Sequence, residues 1–543
     1  MESKNLILAV ALSLIVLFGW GRFAEYMGWV TPQVPPAPQE NAPRKEPIPA
    51  PEPVLPSFKP SPGHDFVVNT PLYEATFYTG GAPLRSFILK KYHVGILPDS
   101  PLINMVDSHT AQVAPLGLVI NSQPSWSTGQ WSLEGEAKSL EVAAGNRGEF
   151  AVNGMVEGIR VRRKFTIDAD TYLIREKITL VNNGDQPRSI RLSLTQAMDG
   201  SMSSGSQYDS MRIAWDNNGK LDDESSNKTL TSTGMIEQGT IWWAGPMSTY
   251  FLAAALPGVP EGVTVKGRVQ DNVWRVGAEI QEIHLEPGES RDIEASYWTG
   301  PKVRAQMLAV SEQLAKSIDL GIFSIIAKGL LWLLEFIQQY VHNWGVAIII
   351  LTFIIKAIFW PLTAKSYASM EKMKQLQPIM TSLREKYKDN REQLNKEVMG
   401  VYKTYGVNPA SGCVPILIQL PVFFGLYQAL LTSIALRHAS FITYLPGTHI
   451  IWLADLSAKD PLYITPIIMG ISMFVQQRMS PPPADPMQQK IMLFLPLIFT
   501  ILFLNFPAGL VIYWLFNNIL GIFQQWLMMR KIKKPEARTA KEG

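Results

Sequence analysis

Apolar positions along this chain follow three successive patterns. Residues 5–20 (NLILAVALSLIVLFGW) form one unbroken apolar run between Lys4 and Arg22. Such a run is either a cleavable secretory signal or an uncleaved membrane anchor. Residues 21–29 offer no good small-x-small cleavage site, which favours an anchor over 1–29 with its N-terminus in the cytoplasm. Residues 31–62 then hold 12 of the 39 prolines, a composition that cannot pack a core. An extended, partly polyproline II tether is predicted over 30–62.

From about Asp65 to Gly300 the period falls to two. Short β-branched or alternating runs such as FVVNTPLYEATFY, IRVRRKFTI and TYLIREKITLVNN are separated by Gly80-Gly81, Asn182-Asn183-Gly184, Asn217-Asn218-Gly219 and Pro287-Gly288. Strands at this density predict a large all-β sandwich domain over 63–315, closed by a helix at 304–315. The period then lengthens. Over 318–341, Ser324, Lys328, Glu335, Gln339 and His342 fall on one helix face and the remaining faces are apolar. An amphipathic helix lying on a membrane surface is predicted across 316–343.

Five long apolar stretches follow, at about 344–362, 414–431, 461–474, 491–506 and 508–529. With the anchor they make six transmembrane α-helices in a multi-domain membrane protein. This arrangement puts the β domain outside and 364–410 inside. The segment 364–410 reads as a helical hairpin, on which Met373, Leu376, Met380, Leu383 and Tyr387 repeat at three and four. Its methionines are either core or an adaptable surface for apolar clients. The stretch 491–506 is 16 residues, about 24 Å against a hydrocarbon layer of about 30 Å. Either lipid thins locally around it or the helix extends beyond these bounds.

Charge supports the orientation. Residues 364–410 carry nine Lys/Arg against five Asp/Glu and the tail 530–543 six against two, whereas 432–460 is balanced at two and two. Basic segments stay on the cytoplasmic side, so both termini are predicted inside. Overall, charged residues are only 17% of 543 and mean hydropathy is +0.05, as for a soluble part joined to a lipid-embedded one. The β domain with its tether nets −7 and the rest +10, which argues against nucleic acid as a specific ligand. A single cysteine, Cys413, excludes an intrachain disulfide and a cysteine zinc cluster.

One lysine stands out. Lys356 lies inside WGVAIIILTFIIKAIFWPLT, where a central lysine costs on the order of 2.5 to 3.5 kcal/mol. The core portions of the predicted spans hold no Asp or Glu to pair with it, so a hydrated cavity is expected. Thr352 lies one turn earlier, and Gln419, Asn517 and Asn518 also fall at membrane depth. Each of those polar groups could simply bond a neighbouring helix. Together with Lys356 they suggest a polar groove that attracts an acidic or polar segment of another chain. Enzyme signatures are missing: the chain has no HExxH, no Walker A loop and no GxSxG elbow, and its seven histidines are scattered. No catalytic residue, metal site or cofactor is expected.

The runs NWGVAIIILTFIIKAIFWPLTAKSYASMEKMKQLQPIM, VNPASGCVPILIQLPVFFGLYQAL and DPMQQKIMLFLPLIFTILFLNFPAGLVIYWLFNNILGIFQQ resemble the YidC/Oxa/Alb family of membrane protein insertases. The anchor, tether and β domain match its Gram-negative form. The resemblance implies a five-helix insertase core over 344–529, a periplasmic β-supersandwich and residence in the bacterial inner membrane. It also implies insertion and folding of nascent inner-membrane proteins through a groove open to cytoplasm and lipid, alone or beside the Sec translocon. The ribosome, met by the basic tail and hairpin, is a further implied partner. Thr352, Gln419, Tyr513 and Trp514 match positions that the family associates with the groove or its clients. Lys356 departs from the arginine that most members carry, keeping the charge but losing the planar fork. A small-anion transporter and a carbohydrate-active envelope protein are the alternatives; no inverted repeat supports the first and no acid–base pair the second.

Overall fold

The computed structural model describes residues 61–532 except 98, 204–208, 389, 407–413 and 481–485. The predicted anchor, nearly all of the tether, Cys413 and the tail beyond 532 lie outside the described residues.

Strand Ile159–Asp168 shows how the β region is built. Ile159, Val161, Arg163, Phe165 and Ile167 alternate inward, and the strand pairs antiparallel with Arg147–Val156 on one side and Leu173–Asn182 on the other. Leu173–Asn182 in turn pairs with Ser290–Pro301. These strands lie within a nine-stranded sheet, accompanied by sheets of six and five strands. Phe66 and Phe77 of the five-stranded sheet meet Phe150 and Phe165 of the nine-stranded one at 4.8 to 5.4 Å, so period-two burial becomes sheet-on-sheet packing. The inward set includes a charge. Arg163 is fully buried, ion-pairs Glu176 at 2.5 Å, and donates to the carbonyls of Leu116 at 2.7 Å and Gly81. The Tyr297 hydroxyl donates to the other Glu176 oxygen at 2.9 Å.

The helix expected over 304–315 is broken. Ser311, at φ −163°, ends Arg304–Val310 and caps Glu312–Ala315 by accepting from the Leu314 N–H. The amphipathic helix α1 spans Ser324–Val341, eight residues later than its predicted start at 316, because Gly321 at φ +66° and the Asp319 carboxylate that accepts its N–H turn the chain first. Helix α1 has three faces. Ala327, Leu331 and Leu334 are buried, Lys328, Glu335 and Gln339 are exposed, and Ile325, Trp332, Phe336 and Tyr340 form an exposed apolar stripe.

The remaining helices are α2 (Trp344–Ile358), α3 (Trp360–Gln375), α4 (Gln377–Lys386), α5 (Arg391–Thr404), α6 (Val414–Thr432), α7 (Ile464–Met479), α8 (Pro486–Phe503) and α9 (Ala508–Ile532). The stretch predicted as one span over 344–362 is two helices, α2 and α3, bent by 65°. Pro361 explains the break: it has no N–H for the Ala357 carbonyl and its ring crowds that turn, yet it suits the first turn of α3. Among the described residues no single helix is long and apolar enough to cross a membrane, although the bent α2–α3 pair is so by length and composition. The hairpin has three helices rather than two, since Pro378 starts α4 just after the first arm ends. Leu376 and Met380 are buried, as core methionines are, while Met399 on the other arm is 59% exposed. Helix α8 begins five residues before the predicted stretch, and α7 covers 16 residues.

Two apolar clusters hold the described residues together. One fills the β region and continues into Ala327, Leu331, Ala429 and Ile434; the other joins α1, α2, α6, α7 and α9 through residues such as Leu334, Leu351, Leu426, Met469 and Val511. Arg437 locks the two regions by donating to the His93 carbonyl at 2.9 Å.

Candidate functional site

A cavity of about 350 Å³ opens among α2, α3 and α6 to α9. Lys356 reaches it from the last turn of α2, because the helix stops at Ile358 instead of running on to residue 362. The lysine is therefore not central in its helix. The carbonyl end of α2 carries partial negative charge and offsets part of the cost of holding an ammonium there. Lys356 is 8% exposed, and among the described residues it makes no ion pair or hydrogen bond. Among the described residues the cavity lining contains no Asp or Glu.

Six of the seven expected site residues meet there: Lys356, Gln419, Tyr513, Trp514, Asn517 and Asn518. Thr352 does not. It is fully buried one turn away, and its hydroxyl donates to the Ile348 carbonyl at 2.7 Å. Asn518 follows the ordinary inter-helix pattern in part, donating to the Ser472 hydroxyl at 3.1 Å. The buried Trp514 indole N–H has no acceptor. Its ring packs edge-on to Phe423 at 4.8 Å and against Phe503 at 5.3 Å, so aromatic groups close one end of the cavity.

Sequence reasoning missed the wall that α3 and α7 supply. Thr363, Ser366 and Tyr367 on α3, Gln476 and Gln477 on α7, and Ser480 just after α7 also line the cavity. Tyr367 bonds Gln476, and the Gln477 amide donates to the Met492 carbonyl. Ser366 and Tyr367 fall in the stretch expected as a cytoplasmic hairpin, and residues 476–480 fall between two expected spans. Their signal is a three-to-four spacing of uncharged polar residues that continues past each apolar stretch. Gly521 is part of the fit: a Cβ there would lie 2.7 Å from the Gln476 amide nitrogen and 3.6 Å from the Lys356 ammonium nitrogen.

Outside the cavity, α7 and α8 expose mainly apolar side chains. On α8, Ile491, Leu493, Phe494, Leu497, Ile498, Ile501 and Leu502 are each at least half exposed or nearly so, covering more than one face. On α7, Ile467, Ile468, Ile471 and Phe474 are likewise exposed. Water does not tolerate a patch of this size on a folded monomer; lipid does. Helix α8 packs on α7 and makes little close backbone contact with α6, leaving Leu420 and Leu495 exposed at the cavity rim.

A lipid-facing helical bundle around a cavity that sets one lysine, amides and hydroxyls among apolar side chains, joined to a large β region, defines an integral membrane protein with an internal chamber. Comparison with known proteins gives the class a family. Residues 336–536 match the family described as 60Kd inner membrane protein, and residues 65–333 match the YidC periplasmic domain. The chain is 50% identical to the membrane protein insertase YidC of Nitratidesulfovibrio vulgaris strain DP4 over 98% of its length and 100% of that protein. It is 49% identical to the protein of that name from Lawsonia intracellularis, with the same coverage. A solved structure of an active YidC insertase with its first transmembrane domain resolved shares 17% identity at a TM-score of 0.36, covering 86% of this chain and 94% of that one. The chain belongs to the YidC family of membrane protein insertases. Its function is insertion of proteins into the inner membrane, and its relatives are named as insertases rather than enzymes.

Proposed function

We propose that the cavity around Lys356 receives the polar end of a nascent inner-membrane protein while the client's apolar segment moves into lipid between α6 and α8. The observation that carries this reading is a buried ammonium with no acid beside it among the described residues, set in a cavity of about 350 Å³. A charge without a resident partner favours an acidic visitor, and a lining of amides and hydroxyls lets water accompany it. The apolar segment gains by leaving water, and the membrane potential adds to the drive for an acidic tail.

The same reading takes in the rest of the chain. An anchor at 1–29, a tether at 30–62, a periplasmic β domain at 63–315, an interfacial helix at 316–343, a core at 344–529 and a basic tail at 530–543 give six spans with both termini inside. The basic segments of the hairpin and tail suit a ribosome approaching from the cytoplasm, and Sec components are partners for cooperative insertion. The exposed Trp332, Phe336 and Tyr340 stripe supports a surface position for α1.

Site-specific photocrosslinkers test the site. During synthesis of a single-span protein with a short acidic N-terminus, probes at Gln419 and Trp514 are expected to capture the nascent chain, and a probe at the sequestered Thr352 is not. Equal capture from all three positions would remove the cavity as the route.

Bilayer thickness gives a second test. Helix α7, 16 residues and about 24 Å long, is shorter than a hydrocarbon layer of about 30 Å. Spin labels on its exposed Ile467 and Ile471 are expected to report lipid thinned by several ångströms near the protein. Bulk thickness at both labels would remove the thinning.

A further inference from the structure

A second polar cavity, of about 510 Å³, lies where the β region meets the C-terminal ends of α6 and α8. Arg212, Lys302 and Asp319 contribute charge to its wall, and Leu431, Leu502 and Phe506 contribute apolar surface. Lys302 is 3% exposed; its ammonium donates to the Ser317 carbonyl at a long 3.4 Å. Burial, with the Arg212 cation adding to it, holds that ammonium down to about 7. The Arg212 Nε is buried without an acceptor. Among the described residues neither cation is ion-paired, and Asp319 spends one oxygen on the Gly321 N–H at 2.8 Å. Leu502, beside them, is 53% exposed on the same apolar flank of α8 that faces lipid.

Two unpaired cations, a carboxylate with a free oxygen and an apolar wall running along a helix match one ligand chemistry. A phosphodiester satisfies the cations through charge-assisted hydrogen bonds. An ammonium satisfies the acid, and an acyl chain covers the apolar wall. We propose that this cavity seats the head group of an amine-bearing glycerophospholipid from the outer leaflet, its phosphate on Arg212 and Lys302, its ammonium on Asp319 and a chain along Leu502. The assignment rests on the orientation proposed above, which places these helix ends at the periplasmic face. The bound lipid would tie the β region to the membrane at the joint where the chain passes into α1.

Native mass spectrometry of the full chain, released from vesicles with equal phosphatidylethanolamine and phosphatidylglycerol, tests the site. Wild type is expected to retain one phosphatidylethanolamine. Arg212→Gln is expected to retain it about tenfold less often, as loss of a charge-assisted hydrogen bond predicts. Ser210→Glu should act in the same direction: Ser210 is an exposed residue of the same wall, so a carboxylate there repels the phosphate without disturbing the core. Asp319→Asn should bring the two lipids to parity. Unchanged occupancy in a folded Ser210→Glu protein would overturn the site. Thermal stabilisation by inorganic phosphate or phosphoethanolamine equal to that by the lipid would overturn the lipid assignment in favour of a soluble phosphate. Ser210→Glu should still insert acidic-tailed clients, so failure of this site and failure of the Lys356 groove are read out separately.

Discussion

Lys356→Glu is expected to slow insertion of clients with acidic N-terminal tails by about tenfold to a hundredfold, and to leave clients with neutral tails near the normal rate. The sign follows from the cavity lining, which among the described residues holds one cation and no carboxylate. Two unit charges about 4 Å apart interact by about 1 kcal/mol in water and about 4 kcal/mol at an effective dielectric of 20, and a polar cavity lies between these limits. Lys356→Ala removes the attraction without adding repulsion, so its defect should be smaller and in the same direction. Lys356→Arg should insert normally: the charge is kept, and the planar fork adds a bidentate contact for a carboxylate. The measurement is the rate at which the client tail becomes protected from protease in vesicles carrying each variant. Normal rates for every client with both the Ala and the Glu variants would show that the cavity charge has no part in insertion.

Arg163→Met is expected to destabilise the β region by about 3–5 kcal/mol, the cost of leaving the buried Glu176 carboxylate without its cation. Both side chains of that pair are fully buried. The same substitution frees the Leu116 and Gly81 carbonyls, which now accept from the guanidinium. Replacing both partners, as Arg163→Met with Glu176→Leu, should recover much of the loss, because no uncompensated charge remains. Denaturant titration of the purified protein, followed by tryptophan fluorescence, reads the transition of the β region. A single variant as stable as wild type would mean that the pair is open to water. Insertion through the groove draws on other residues, so the two predictions fail independently.

The β region was legible because its turns and alternation are local. Asn218 and Gly219, flagged as a turn, adopt φ of +53° and +81° in the two-residue turn between Arg212–Asn217 and Lys220–Glu224. Equivalent turns at Glu157-Gly158 and Asp271-Asn272 were not flagged, since a left-handed Glu or Asp is a weaker signal than Asn-Gly. Arg163 escaped notice for a related reason. IRVRRKFTI has three adjacent cations, and alternation shows that one faces inward but not that Glu176 waits there.

Lys356, Gln419, Tyr513, Trp514, Asn517 and Asn518 were readable one at a time, as polar groups inside apolar stretches or as positions shared with a family. Apolar composition, charge asymmetry and those polar intrusions are properties of the chain, set by the preference of each side chain for water or lipid, and they already indicated a membrane protein with a β domain and a basic groove. Which polar groups meet is another matter. The break at Pro361 ends α2 early, puts Lys356 in a final turn and swings Thr363, Ser366 and Tyr367 toward it, while Thr352 stays sealed among helices. That convergence depends on a 65° bend and on contacts between residues more than 150 positions apart, such as Gln524 with Thr363. Only the folded chain could decide it, because helix direction and packing are set by the neighbours a segment meets and not by its own sequence.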